Sequence, residues 1–222
     1  MAKQLAFPLS AKPALGRDNF FVSDANALAV TALERIDTWP NGKLILAGPR
    51  ASGKTHLAHV WAGESAARIL PAAGLAECDI PSEAEGPLAV ENIDAMSQQD
   101  ETALFHLHNL MLAEGHPLLM TTATPPAAMT LRLPDLRSRL EATSVVALDA
   151  PDDVLLGAVL VKLFSDRQIN LPNGLLDYVL PRIERSFAAA HAFVDALDAR
   201  ALSEGKPIGK RLAGEILRDA QG

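Results

Sequence analysis

Residues 48–55 read Gly-Pro-Arg-Ala-Ser-Gly-Lys-Thr, a complete phosphate-binding loop with Gly48, Gly53, Lys54 and Thr55 at its fixed positions. The apolar run Leu44-Ile45-Leu46-Ala47 precedes it, and a helical stretch from His56 to Ala67 follows. This strand–loop–helix setting is the one the motif requires. In it backbone N–H groups and the helix N-terminus surround the β-phosphate, with Gly48, Pro49, Arg50, Ala51, Ser52, Gly53, Lys54, Thr55 and His56 as the candidate nucleotide-binding residues. Lys54 then reaches the β- and γ-phosphates of ADP or ATP, and Thr55 ligates Mg²⁺. The competing reading is a glycine-rich turn with no ligand, which leaves the simultaneous presence of all four fixed positions without a reason.

The rest of the chain narrows the class. Its 222 residues suffice for one large core or two unequal domains. One cysteine, Cys78, excludes an internal disulfide and suits a reducing, cytoplasmic setting. No run of about 18 apolar residues is present, so no membrane helix is expected, and the N-terminus lacks the apolar core of a secretion signal. A formal net charge of −7 argues against direct, sequence-specific DNA binding by the chain itself. His106 and His108 stand two apart on a helix, which points them to different faces and suits core and surface roles better than a metal pair.

Periodicity predicts an arm over 1–19, an α/β domain over 20–150 and a helical domain over 151–222. Helical spacing spans Asp24 to Ile36 through Leu28, Thr31, Ala32 and Ile36, with Asp24 as the cap. Strands are expected at 44–47, 68–71, 88–90, 118–122 and 144–148. Helices are expected at 56–67, at 100–113 with Leu104, Leu107, His108 and Met111 on one face, and at 136–140. The acidic stretch 78–87 reads as a loop. This alternation predicts a parallel sheet with helices on both faces. Past Pro151 only helical patterns remain, over 152–168, 172–182, 186–203 and 209–220.

A phosphate-loop α/β domain followed by a four-helix lid resembles the AAA+ class. Leu133-Pro134-Asp135-Leu136-Arg137-Ser138-Arg139-Leu140 resembles the arginine-finger segment of DnaA-related proteins, and most closely that of the Hda type, the short DnaA homologues that regulate replication initiation. Thr121 to Pro126 is similar to the strand end that carries the sensor-1 position, and Glu184-Arg185-Ser186 to the sensor-2 site. Gln4-Leu5-Ala6-Phe7-Pro8-Leu9 resembles a sliding-clamp-binding peptide, in which Gln4 would serve as hydrogen-bonding head, Leu5, Phe7 and Leu9 would fill an apolar groove, and Pro8 would reduce the entropy lost on binding. An arm packed on its own domain is the plainer alternative. The sequence leaves no residues for a DNA-gripping domain after the lid, a further likeness to the Hda type.

The resemblance implies ADP or ATP with Mg²⁺ as cofactor, DnaA and the DNA polymerase III sliding clamp (its β subunit) as partners, and a possible homo-oligomer. It places Glu91, where the family usually has Asp, and Asn92 at the metal-and-water site. An amide such as Asn92 does not take a proton at neutral pH, and Ala123 stands where a polar sensor is usual, with Thr122 or Thr124 as substitutes. Slow intrinsic turnover is the expectation. Arg139 would act on the nucleotide of a neighbouring molecule, the alternative being a surface ion pair with Glu141. Arg185 would contact the chain's own nucleotide, the alternative being a pair with Glu184. The implied role is nucleotide-dependent stimulation of hydrolysis of DnaA-bound ATP. An autonomous loader-type ATPase and a non-catalytic clamp–DnaA adaptor are the rival readings.

Overall fold

The computed structural model describes residues 21–220, so the Gln4–Leu9 motif lies outside the described residues. The described chain divides into two compact units, one formed by Asn26–Asp149 and the other by Ala150 onward together with Phe21–Ala25.

The first unit is built on a five-stranded parallel sheet. Its strands are β1 (Lys43–Ala47), β2 (Arg68–Pro71), β3 (Leu88–Glu91), β4 (Leu118–Thr122) and β5 (Ser144–Ala147), in the spatial order β2-β3-β4-β1-β5. β1 pairs with β4, Lys43 opposite Leu118, and with β5, Leu44 opposite Ser144. Every residue of β1 and β4 is buried, as strands covered on both faces require, whereas the edge strand β5 alternates. Helices α1 (Ala27–Glu34), α2 (Lys54–Ser65), α3 (Ile80–Glu83), α4 (Gln98–Ala113) and α5 (Pro134–Glu141) complete the unit. The core joins Ile45, Val90 and Met120 from the strands to Leu104, Leu107 and Met111 of α4 and Leu136 and Leu140 of α5.

Three local expectations need correction. The buried face of α1 is Ala29, Val30 and Leu33, while Leu28 is 76% exposed, and its N-cap is Asn26, not Asp24. The spacing read from Leu28 picked the wrong stripe of a helix that is apolar nearly all round. The stretch 78–87 contains α3, where Pro81 sits in the first turn and is tolerated because that N–H has no helical partner. In the second unit, α7 (Leu175–Val179) is far shorter than 172–182, because Pro172 and Gly174 delay its start. There α6 (Asp153–Asp166), α7, α8 (Phe187–Glu204) and α9 (Lys210–Asp219) enclose a separate core of Leu160, Phe164, Val194, Leu197 and Ile216. Asp152 caps α6 by accepting Leu155 N–H at 2.7 Å, and Ser186 caps α8 by accepting Ala189 N–H at 3.0 Å.

Candidate functional site

Because the strands are parallel, the loops at their C-terminal ends share one edge of the sheet, where ligands of open α/β sheets bind. The phosphate loop leaves β1 there. Gly48 is required by close approach, since a Cβ at this position would lie 2.3 Å from the Leu148 carbonyl oxygen. Gly53 caps α2 at φ 95°, a conformation strained for any other residue. Helix α2 starts at Lys54 rather than His56, which puts Thr55 and His56, both exposed, in its first turn.

Lys54 is buried, and its Nζ donates to the carbonyls of Gly48 and Pro49, each at 2.7 Å. Burial lowers its pKa, and the charge of Asp94 opposes that shift. The ammonium is held over the loop by neutral acceptors that a phosphate can replace. Ser52 Oγ is buried with no partner, as is Glu91 Oε1 at the end of β3. Arg50 and Pro49 are exposed, and Ala51 adopts φ 59°. A cradle with one held cation, an unpaired hydroxyl and an unpaired carboxylate oxygen fits a phosphate with a hard cation. Thr55 and Glu91 are the residues that would hold Mg²⁺, which supplies charge neutralisation at the phosphates.

Asn92 is exposed in a left-handed conformation (φ 59°) and donates its N–H to Thr121 Oγ1 at 3.0 Å. That reversal turns the chain so that Asp94 Oδ1 accepts the Ala123 N–H at 2.9 Å. Asp94 is therefore tied to the chain just past the end of β4, and its charge acts on Lys54. Thr122 lies at the end of β4. It is fully buried and closes a local turn, donating to the Thr124 carbonyl at 2.7 Å and accepting Thr124 N–H at 3.1 Å.

Arg139 occupies the opposite edge. Helix α5 ends at Glu141, just before β5 begins at Ser144 beside Leu44, so Arg139 lies near the N-terminal end of β1. The phosphate loop leaves the other end, and at about 3.3 Å per residue the strand separates them by roughly 15 Å. The Arg139 guanidinium stacks on Phe105, 5.2 Å from the ring centroid, and makes no ion pair with Glu141. Two residues that sequence reasoning passed over set its position. Phe105 supplies the platform, and buried Glu101 accepts the N–H groups of Arg132 and Leu133, each at 2.9 Å, fixing the entry to α5.

In the second unit Arg185 pairs with Asp153 at 2.9 Å, not with Glu184. His108 is buried and His106 exposed, as their spacing predicts. No cluster of metal-binding side chains occurs among the described residues, and no helix among them is long and apolar enough to cross a membrane.

No protein-family model matches the chain. Solved structures do. Domain III of the replication initiation protein DnaA from Thermotoga maritima superposes with a TM-score of 0.78 at 18% identity, covering 96% of this chain and 98% of that one. AMPPCP-bound DnaA from Aquifex aeolicus gives 0.70 at 16% identity over 89% of this chain and 68% of that one. The Holliday junction branch migration motor RuvB of Thermotoga maritima gives 0.67 at 18% identity over 87% and 67%. The chain shares the fold of that DnaA domain III: a parallel five-stranded sheet followed by an all-α part.

Proposed function

We propose that this protein is a DnaA-related, nucleotide-binding AAA+ regulator of replication initiation that stimulates hydrolysis of ATP held by DnaA. One observation carries the reading. Arg139 stands at the edge of the sheet opposite its own phosphate loop, with its guanidinium stacked on Phe105 and no acceptor for its donors among the described residues. It is out of reach of its own nucleotide and available to one on another molecule. There it would meet charge developing on the γ-phosphate, a contribution worth about 10³–10⁵ in rate in other phosphoryl-transfer systems. The DnaA-like fold supports DnaA as that molecule.

In this proposal ADP or ATP with Mg²⁺ occupies Gly48–Thr55. Gln4–Leu9 tethers the protein to the DNA-loaded sliding clamp, which raises the local concentration of a weak binder. Hydrolysis by DnaA, measured with and without this protein and loaded clamp, tests the reading. Stimulation that requires both supports it, and its absence rejects it. Deleting residues 1–9 should abolish clamp binding and leave nucleotide binding intact. Equal retention on the clamp would reduce the segment to a tail.

A second reading, an autonomous ATPase, gains from Asp94, a carboxylate at the sensor-1 strand end where Asn92 offers none. Turnover near the median enzyme value of about 10 s⁻¹, lost in Asp94→Asn, would favour it.

A further inference from the structure

The N-terminal edge of the sheet holds an anomaly that the finger reading does not use. Lys43, the first residue of β1, is 2% exposed, and its Nζ has no hydrogen-bond partner. His108 on α4 is 5% exposed, and neither ring nitrogen has a partner. Topology brings both to Arg139. The chain leaving α4 enters β4 at Leu118, which pairs with Lys43. The chain leaving α5 enters β5 at Ser144, which pairs with Leu44. Buried polar groups are ordinarily satisfied, and an unpaired buried cation is costly. Here the charge of Arg139 acts on both side chains, and among the described residues its guanidinium has an aromatic face but no acceptor.

We infer that Lys43, His108 and Arg139 form a binding site for a phosphate oxyanion, with Arg139 at its mouth and Lys43 and His108 at its floor. An anion is the one ligand class that satisfies all three. It would accept from the Lys43 ammonium, a ring N–H of His108 and the planar Arg139 fork, which suits tetrahedral oxygens. Among the described residues no carboxylate charge acts on the floor groups. Lys43 is depressed by burial and by Arg139, and His108 by burial, by Lys43 and by Arg139. The phosphate has two sources: a free ion, or the terminal phosphate of a nucleotide presented by a second protein. The second source deepens the proposed function, because Lys43 and His108 then supply field behind the finger.

The test reads the His108 ring by NMR in protein saturated with ADP and Mg²⁺, so that the phosphate loop is filled. One arm titrates inorganic phosphate against chloride at constant ionic strength. The other adds DnaA loaded with a non-hydrolysable ATP analogue. A saturable shift of the His108 resonances is expected, with the His108 pKa raised by about one unit or more, the effect of an opposite charge within a few ångströms. A response to inorganic phosphate assigns a free-ion site, and a response to loaded DnaA alone assigns the partner's nucleotide. Lys43→Met should abolish either response while raising Tm, since it removes an unpaired buried cation. A silent His108 in both arms overturns the inference, as does an unchanged response in Lys43→Met. Should that variant not fold, the two wild-type arms decide alone. Stimulated hydrolysis with a silent His108 would sink this site and leave the proposed function standing.

Discussion

The two edges of the sheet treat their cations in opposite ways. At the C-terminal edge Lys54 is held by two carbonyls of its own loop, and Asp94 lies within electrostatic reach. At the N-terminal edge Lys43 and His108 are buried without partners and Arg139 has only an aromatic face. The first edge stores its cation against acceptors that a phosphate displaces at little cost. The second leaves the cost standing in the free protein. Strain of this kind is tolerated at functional sites and trimmed elsewhere.

The largest effect that sharpens this contrast is acid sensitivity. His108 is pushed down to about 4 by burial first, then by Lys43 and Arg139. Its unfolded value is about 6.5, so as pH falls the unfolded state binds the proton first. Stability present above pH 6.5 is therefore lost progressively toward pH 4, by about 3 kcal/mol. Urea unfolding in phosphate-free buffer should show this loss, and His108→Leu should remove most of it. An unchanged pH slope in His108→Leu would mean that the edge is not strained.

Next in size, Lys54→Ala should weaken ADP binding by about 2 kcal/mol, within the range of one charge-assisted contact. Folding should be unharmed, because the Gly48 and Pro49 carbonyls it leaves sit beside open loop. Calorimetry giving equal affinity would reject the phosphate-loop assignment and dissolve the contrast. Smaller still, Phe105→Leu keeps the apolar packing and removes the cation–π platform, worth about 0.5–1 kcal/mol. Stimulated hydrolysis of DnaA-bound ATP should fall a few-fold, with ADP affinity unchanged. Equal stimulation would show that the stack does not position Arg139.

The sheet, the loop and the helical second unit were legible because each rests on short-range pattern. Apolar runs of four or five marked the strands, and Gly48, Gly53 and Lys54 announced the loop. Ser97 and Asp100 form a capping box that fixes the true start of α4 at Gln98. The pattern was readable, but the apolar stripe begins later and drew the boundary to Asp100. Long-range pairings left no such trace. Glu101 looks like an ordinary helix-surface acid until it meets Arg132 and Leu133 about thirty residues on. Lys43 lies just before the apolar run Leu44–Ala47, and its burial follows from its register against Leu118 in a strand covered on both faces. Asp94 enters the site through the left-handed turn at Asn92, a backbone choice that the side chain alone does not announce.

The central claim is that one edge serves the chain's own nucleotide and the other serves a nucleotide elsewhere. Arg139→Ala tests it most directly, with ADP affinity and stimulation of DnaA-bound ATP hydrolysis measured on the same preparation. The account predicts unaltered affinity and a fall in stimulation of about 10³ or more, with Arg139→Lys recovering little because a point charge lacks the planar fork. Full stimulation by Arg139→Ala, or a loss of the protein's own nucleotide binding, would contradict it.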